Sequence, residues 1–157
     1  MEEGGGRLLP GAAGLMGTML PRYLVCEDGS EYTERFRRFL GAQFEFAQAR
    51  NFAEALARAP ACRGVLLDLD FRRTDPALLV DENGSPAPPS SAEVQGILIL
   101  RALRSRGVTL PVLLFADLDD PQRVQRLEQE LAPLTIISSS EGLPAIAQRL
   151  QAIAIAR

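Results

Sequence analysis

Residues 63–73, RGVLLDLDFRR, set the apolar run Val65, Leu66, Leu67 against two carboxylates, Asp68 and Asp70, with only Leu69 between them. An unbroken apolar run with no inside–outside alternation reads as a strand buried on both faces, the habit of parallel sheets. Gly64 to Leu69 is therefore a predicted strand, and its acids fall where the strand leaves the core.

Working outward, the same unit recurs. Upstream, Arg22 to Cys26 (RYLVC) is an apolar run. Asp28, Gly29 and Ser30 follow as turn and N-cap, leading into a helix with Tyr32, Phe36, Phe39 and Leu40 on one face. Phe44 to Ala47 is the next strand, and Asn51 with Glu54 makes a capping-box-like start to a helix carrying Ala55, Leu56 and Ala59. Downstream of the opening stretch, Ser90 and Glu93 form a capping box for a helix with Val94, Ile97, Leu98 and Leu103, closed by Gly107. Leu110 to Ala116 is the fourth strand; Asp120 caps the following helix, with Pro121 in its first turn and Val124, Leu127 and Leu131 along it. Leu134 to Ile137 is the fifth strand, and a last helix runs from Leu143 to Ile155. Five strand–helix units with continuous apolar strands imply an α/β fold, a five-stranded doubly wound parallel sheet in a three-layer sandwich.

The chain has 157 residues, 46% of them hydrophobic, enough for one domain with a real core and short for two. Residues 22–157 are read as that domain and residues 1–21 as a flexible N-terminal tail; a start at Met16 or Met19 is the alternative. The apolar stretch Leu15 to Leu20 is broken by Gly17 and far too short to span a bilayer. A formal net charge of −3 argues against a general nucleic-acid or anionic-membrane binder. All 17 basic residues are arginine: there is no lysine and no histidine. Cys26 and Cys62 lie far apart in apolar settings, which reads as buried free thiols in a reducing, cytoplasmic compartment. The segment 72–90, with Pro76, Pro86, Pro88 and Pro89, reads as an inserted Pro-rich loop that buries too little to order itself, Leu78, Leu79 and Val80 docking locally at most.

In an open parallel sheet the ligand site lies at the carboxyl ends of the strands, beside the point where strand order reverses. The acids collect there: Glu27 and Asp28 after the first strand, Asp68 and Asp70 after the third, Asp117 after the fourth, with Asp119 and Asp120 just beyond. Clustered carboxylates repel unless protonated, capped by helix N-termini or bridged by a cation, and Mg²⁺ is a natural bridge. Asp119 and Asp120 read as helix caps facing water.

From about Arg22 to Ile155 the sequence resembles the receiver domain of bacterial two-component response regulators, a flavodoxin-like fold. YLVCEDGS is similar to that family's first strand with its acidic pair, and GVLLDLDF to the strand carrying the phosphoacceptor. ARNFAEALA, GILILRALRSRG and LPVLLFA resemble its second helix, third helix and fourth strand. The resemblance implies Asp68 as phosphoacceptor equivalent, and Glu27, Asp28, Asp68 and the backbone carbonyl of Asp70 as metal ligands. It also implies a docking or dimer face on the fourth helix, fifth strand and fifth helix. On that face Gln122, Arg123, Gln125, Arg126 and Gln129 are expected to point outward.

The departures carry as much information. The family's phosphoryl-binding Ser or Thr falls on Ala116, its Lys on Ser138, the proline after it on Ser139, and its aromatic switch residue on Thr135. The loop after Asp68 is longer than the family's by about twenty residues, a length at which loops are functional or disordered. Phosphoryl transfer to an aspartate needs a metal, cations and donors around the equatorial oxygens. The expectation is a stand-alone pseudo-receiver that signals through a protein partner or a homodimer, is not an enzyme, does not switch on phosphorylation, and requires no cofactor beyond weakly bound Mg²⁺. One alternative is an atypical phosphoaccepting or small-molecule-binding receiver in a phosphorelay. A distant one is a haloacid-dehalogenase-type phosphatase, with Asp68 as nucleophile, Asp70 as general acid and Asp119 and Asp120 as its later acidic motif. That family expects its motif near the first strand, and a Thr or Val where Arg72 stands.

Overall fold

The computed structural model describes residues 19–156, so of the tail expected over residues 1–21 all but the last three lie outside the described residues. Five parallel strands are joined by helices: β1 (Arg22–Cys26), α1 (Glu31–Leu40), β2 (Glu45–Ala49), α2 (Phe52–Arg58) and β3 (Gly64–Asp68) come first. They are followed by α3 (Gln95–Ser105), β4 (Val112–Phe115), α4 (Pro121–Glu130), β5 (Leu134–Ile137) and α5 (Leu143–Ile155). The sheet order is β2-β1-β3-β4-β5, the doubly wound arrangement expected from the sequence.

Strand side chains alternate between faces, so an all-apolar strand feeds two cores at once. Tyr23, Val25, Leu66, Leu113 and Phe115 pack against Phe36 and Leu40 of α1 and Ile146 and Leu150 of α5. Leu24, Val65, Leu67, Val112 and Leu114 point the other way, into the core built with α2, α3 and α4. Two polar ties fix the layers. Tyr23 donates its hydroxyl to the Leu150 carbonyl inside the first core. The Arg104 guanidinium donates to the carbonyls of Leu131 (3.1 Å), Val108 (2.9 Å) and Pro133 (3.0 Å), tying α3 to the connections around β4 and β5.

Several local expectations shift. β2 runs two residues further than Phe44–Ala47 because its register on β1 extends to Cys26↔Ala49. β4 is trimmed from Leu110–Ala116 to Val112–Phe115, and β3 ends at Asp68 rather than Leu69. Phe39, at the margin of the α1 stripe, is 57% exposed, and Arg38 lies over its ring at 5.2 Å. The capping box expected at Ser90 and Glu93 does not form. Residues Pro89–Val94 make a 3-10 turn instead, and α3 begins at Gln95 without a side-chain cap. Its leading N–H groups are satisfied another way: Gln95 donates to the Ala92 carbonyl, and Gly96 to the Leu69 carbonyl at 2.9 Å. That approach requires glycine: a Cβ at Gly96 would lie 2.1 Å from the Asp68 carbonyl oxygen.

The inserted loop is the larger correction, for it is ordered. Leu79 and Val80 are buried, and Val80 bridges to Pro86. Burying each of these side chains is worth about 1.5–3 kcal/mol, which offsets much of the entropy of ordering a few residues. Gln95, itself buried, clamps the strap: its Oε1 accepts from Val80 N at 2.9 Å and its Nε2 donates to Val80 O at 3.0 Å. The Asp81 carboxylate accepts from the N–H groups of Asn83 (2.8 Å) and Ser85 (3.0 Å), closing the tip as a turn. Arg106 donates to Asn83 O (3.2 Å) while lying over Phe52.

Gln95→Ala leaves both Val80 backbone groups buried without partners, at about 1–3 kcal/mol for each group. We expect a lower urea midpoint and new protease cleavage between residues 74 and 90; an unchanged digestion pattern would show that Gln95 does not hold the strap.

Candidate functional site

The chain runs from β1 outward to β2 and then returns to β3 on the other side, so the order reverses between β1 and β3. The crevice outside their carboxyl ends is a cavity of about 410 Å³ lined by Asp28, Asp68, Asp70, Arg72 and Arg73. Three of the acids singled out in the sequence meet there. Glu27 does not join them.

Glu27 is buried and turned into α1. Its Oε1 accepts from Tyr32 N (3.1 Å), and its Oε2 accepts from Thr33 N (2.8 Å) and Thr33 Oγ1 (2.7 Å). A helix N-terminus presents unpaired N–H groups and a partial positive charge, which is what a buried carboxylate needs. This corrects the assignment of Glu27 as a metal ligand: both its oxygens serve the helix, a job the sequence reading gave to Ser30. Ser30 occupies the N-cap position without a side-chain cap bond and donates instead to Glu34 at 2.8 Å.

Asp28 is covered by Arg73. Only 4% of its side chain is exposed; its Oδ2 accepts from Arg73 N (2.9 Å) and its Oδ1 from Arg73 Nη2 (3.0 Å). The same guanidinium reaches Glu31 with Nη1 (2.9 Å) and Nη2 (3.1 Å), and holds that carboxyl down at about 2. Asp70 is closed locally, its Oδ1 accepting from Arg72 N (2.9 Å) and its Oδ2 from Arg72 Nε (2.7 Å). Both carboxylate oxygens of Asp70 are thus engaged where the phosphatase alternative needs a free general acid. Among the described residues, no group of three or more His, Cys, Asp or Glu side chains is arranged to hold a metal ion. The expected set of Glu27, Asp28, Asp68 and the Asp70 carbonyl therefore does not fit Mg²⁺ in this geometry: one ligand is spent on a helix, and a second on an arginine.

Among the described residues, Asp68 is the pocket carboxyl without a cation. It accepts from Leu69 N at 2.9 Å. Burial pushes its pKa up to about 6, and the negative charges of Asp28, Glu27 and Asp70 push the same way. On its apolar side Tyr32 stacks on Phe115, centroids 4.7 Å apart, with its phenol pushed up to about 12 by burial and by Asp68. Cys26 beneath is a buried free thiol, its pKa raised by burial and then by Asp68, which leaves it in the unreactive form.

The strand ends beside the pocket carry the remaining positions. Ala116 is buried and presents a methyl group, Thr135 is half-buried, and Ser138 is exposed. Ser138 Oγ donates to Asp117 Oδ1 (3.1 Å), Ser139 N donates to the same oxygen (3.1 Å), and Ser139 Oγ donates to Oδ2. These bonds, the Ser139 hydroxyl first, hold the Asp117 carboxyl below the usual range. Asp120 is the α4 cap foreseen, accepting from Gln122 N at 3.0 Å.

Arg72 and Arg73 are the site residues that the sequence reading passed over. Their signal was present: two cations at 72 and 73 follow the acids at 68 and 70 on one loop of a chain without lysine.

No protein-family model matches the sequence, and no curated protein matches it. Solved structures do. The receiver domain of the Francisella response regulator 1452 superposes with a TM-score of 0.62 at 15% identity, over 85% of this chain and 95% of that one. Chemotaxis protein CheY4 of Vibrio cholerae gives 0.60 at 14% identity, over 86% and 99%. A two-component response regulator from Clostridium difficile gives 0.59 at 12% identity, over 85% and 95%. The chain thus has the flavodoxin-like fold of response-regulator receiver domains.

The state of Asp68 yields a pH prediction. Its pKa is higher folded than unfolded, so the native state binds more protons between about pH 4 and pH 6, and stability falls as pH rises through that window. Asp68→Asn cannot ionise. It should match the wild type near pH 4 and exceed it above pH 6 in urea midpoint; parallel curves for the two proteins would mean that Asp68 titrates normally.

Proposed function

We propose that this domain is a pseudo-receiver: a signalling module that docks onto a protein partner, or onto a second copy, without being switched by phosphorylation. The observation that carries this reading is the chemistry around Asp68. A phosphoryl group gathers charge on its equatorial oxygens and needs cations and donors aimed at them. The position that would donate a hydroxyl is Ala116, and the position that would supply a cation is Ser138, already bonded to Asp117. The pocket arginines, Arg72 and Arg73, are paired with Asp70 and with Asp28 and Glu31.

Output in this reading passes through α4, β5 and α5. The outward side chains of α4, Gln122, Arg123, Gln125, Arg126 and Gln129, are exposed. Between that helix, β5 and α5 lies a cavity of about 370 Å³, with Leu134, Thr135 and Ile153 in its wall and Glu128 and Arg149 at its polar side. Among the described residues the shielded Nε of Arg149 has no hydrogen-bond partner, and Glu141 lies 3.6 Å from its Nη2. A shielded, unpaired donor beside an apolar wall favours an incoming acceptor. The domain performs no catalysis of its own in this reading and works in the cytoplasm. Among the described residues, no helix is long and apolar enough to cross a membrane.

The test is direct. Beryllofluoride with Mg²⁺, added to the ¹⁵N-labelled protein, should leave the amides of α4 and β5 in place, and Asp68→Ala should bind the partner as the wild type does. Large shifts on α4 and β5 that vanish in Asp68→Ala would reveal a phospho-switch made from other residues and would overturn the reading.

A further inference from the structure

We infer that Arg73 is the resident cation of the pocket, a tethered guanidinium that stands where a divalent ion would bridge the β1 and β3 ends and keeps such an ion out. The inference rests on three features of this chain. First, Asp28 is a nearly fully buried carboxylate, and one residue serves both its oxygens, Arg73 N at 2.9 Å and Arg73 Nη2 at 3.0 Å. Second, the guanidinium is fixed from the far side by Glu31, at 2.9 and 3.1 Å, so its position is defined by two carboxylates from the β1–α1 connection and the start of α1. Third, the backbone leaves room for it. A Cβ on Gly29 would lie 2.6 Å from Arg73 Nη2 and 2.3 Å from Glu31 Oε1. The glycine is thus part of the cradle.

The physical consequence follows from charge and from coordination. Mg²⁺ demands near-octahedral oxygen ligands at short range and sheds water reluctantly. At this pocket it would have to displace a planar, always protonated group from a desolvated carboxylate, or else sit beside that group's positive charge. Arginine differs from the ion it replaces in one further respect. It is covalently tethered to the loop after β3, so it cannot diffuse away as a bound ion can.

The inference deepens the pseudo-receiver reading but can fail separately from it, since it concerns cation occupancy and not docking. The test uses the full ¹⁵N-labelled chain with Mn²⁺ as a paramagnetic probe and Mg²⁺ in thermal melts. Wild type should show no broadening centred on the amides of residues 28 and 68–73, and no Mg²⁺-dependent rise in Tm. Arg73→Gln, which keeps a donor near Asp28 but loses the charge, should gain both, with apparent affinity tighter by roughly tenfold or more as the net ligand charge rises. Gly29→Ala leaves every pocket charge in place but pushes the guanidinium aside, and should gain the same broadening to a smaller degree. Adding Asp28→Asn to Arg73→Gln should abolish the gain. Wild type broadened at these amides as strongly as Arg73→Gln would overturn the inference, as would a folded Arg73→Gln that takes up no ion. If Arg73→Gln does not fold, the wild-type and Gly29→Ala titrations decide by the same criteria.

Discussion

A parallel sheet covered on both faces has no place for charge along its strands, so polar chemistry is confined to the rims. That constraint governs this molecule. The acids at the carboxyl rim range from buried, Glu27, to exposed, Asp117, and a carboxylate drawn into the core must find a partner or hold its proton. Glu27 finds the N-terminus of α1, Asp28 finds Arg73, Asp70 finds Arg72, and Asp117 finds the serines after β5. Asp68 is drawn partly into the core with one backbone N–H, and its pKa is pushed up by burial first and then by the like charges around it. The sequence resemblance would make this same carboxyl the phosphoacceptor equivalent.

Much of the fold was legible because periodicity and caps are local signals. β5 and α5 fall on their expected residues, and Asn51 and Asp120 cap α2 and α4 by accepting from the N–H groups of Glu54 and Gln122. What misled was long-range. Ser90 and Glu93 have the spacing of a capping box, but the carbonyl of Leu69 is already at the start of α3, so the helix needs no such cap. The strap over residues 72–90 looks too polar and Pro-rich to order; its order comes from burial of Leu79 and Val80 together with one buried glutamine clamping one valine fifteen positions away. No window of sequence shows that pairing. The site was half legible for the same reason. Clustering of acids at strand ends follows from topology, whereas which carboxylate faces which cation depends on side-chain directions that composition does not reveal.

A two-state switch needs an element whose contacts differ between states, and a ligand that favours one of them. The rim of this domain is fastened in two places instead. Arg73 ties the loop after β3 to the connection after β1, and Asp117 ties the loop after β4 to the serines after β5. The second tether joins the segments that follow β4 and β5. Moving it would mean breaking hydrogen bonds to a carboxylate, which are about twice as strong as neutral ones. In the pseudo-receiver reading, the methyl group at Ala116 and the lack of an aromatic ring at Thr135 leave nothing on the other side of the balance to repay that loss. In the pseudo-receiver reading, a domain so fastened would present its α4–β5–α5 face in one form, and regulation of its docking would act through the abundance or state of the partner rather than through the pocket.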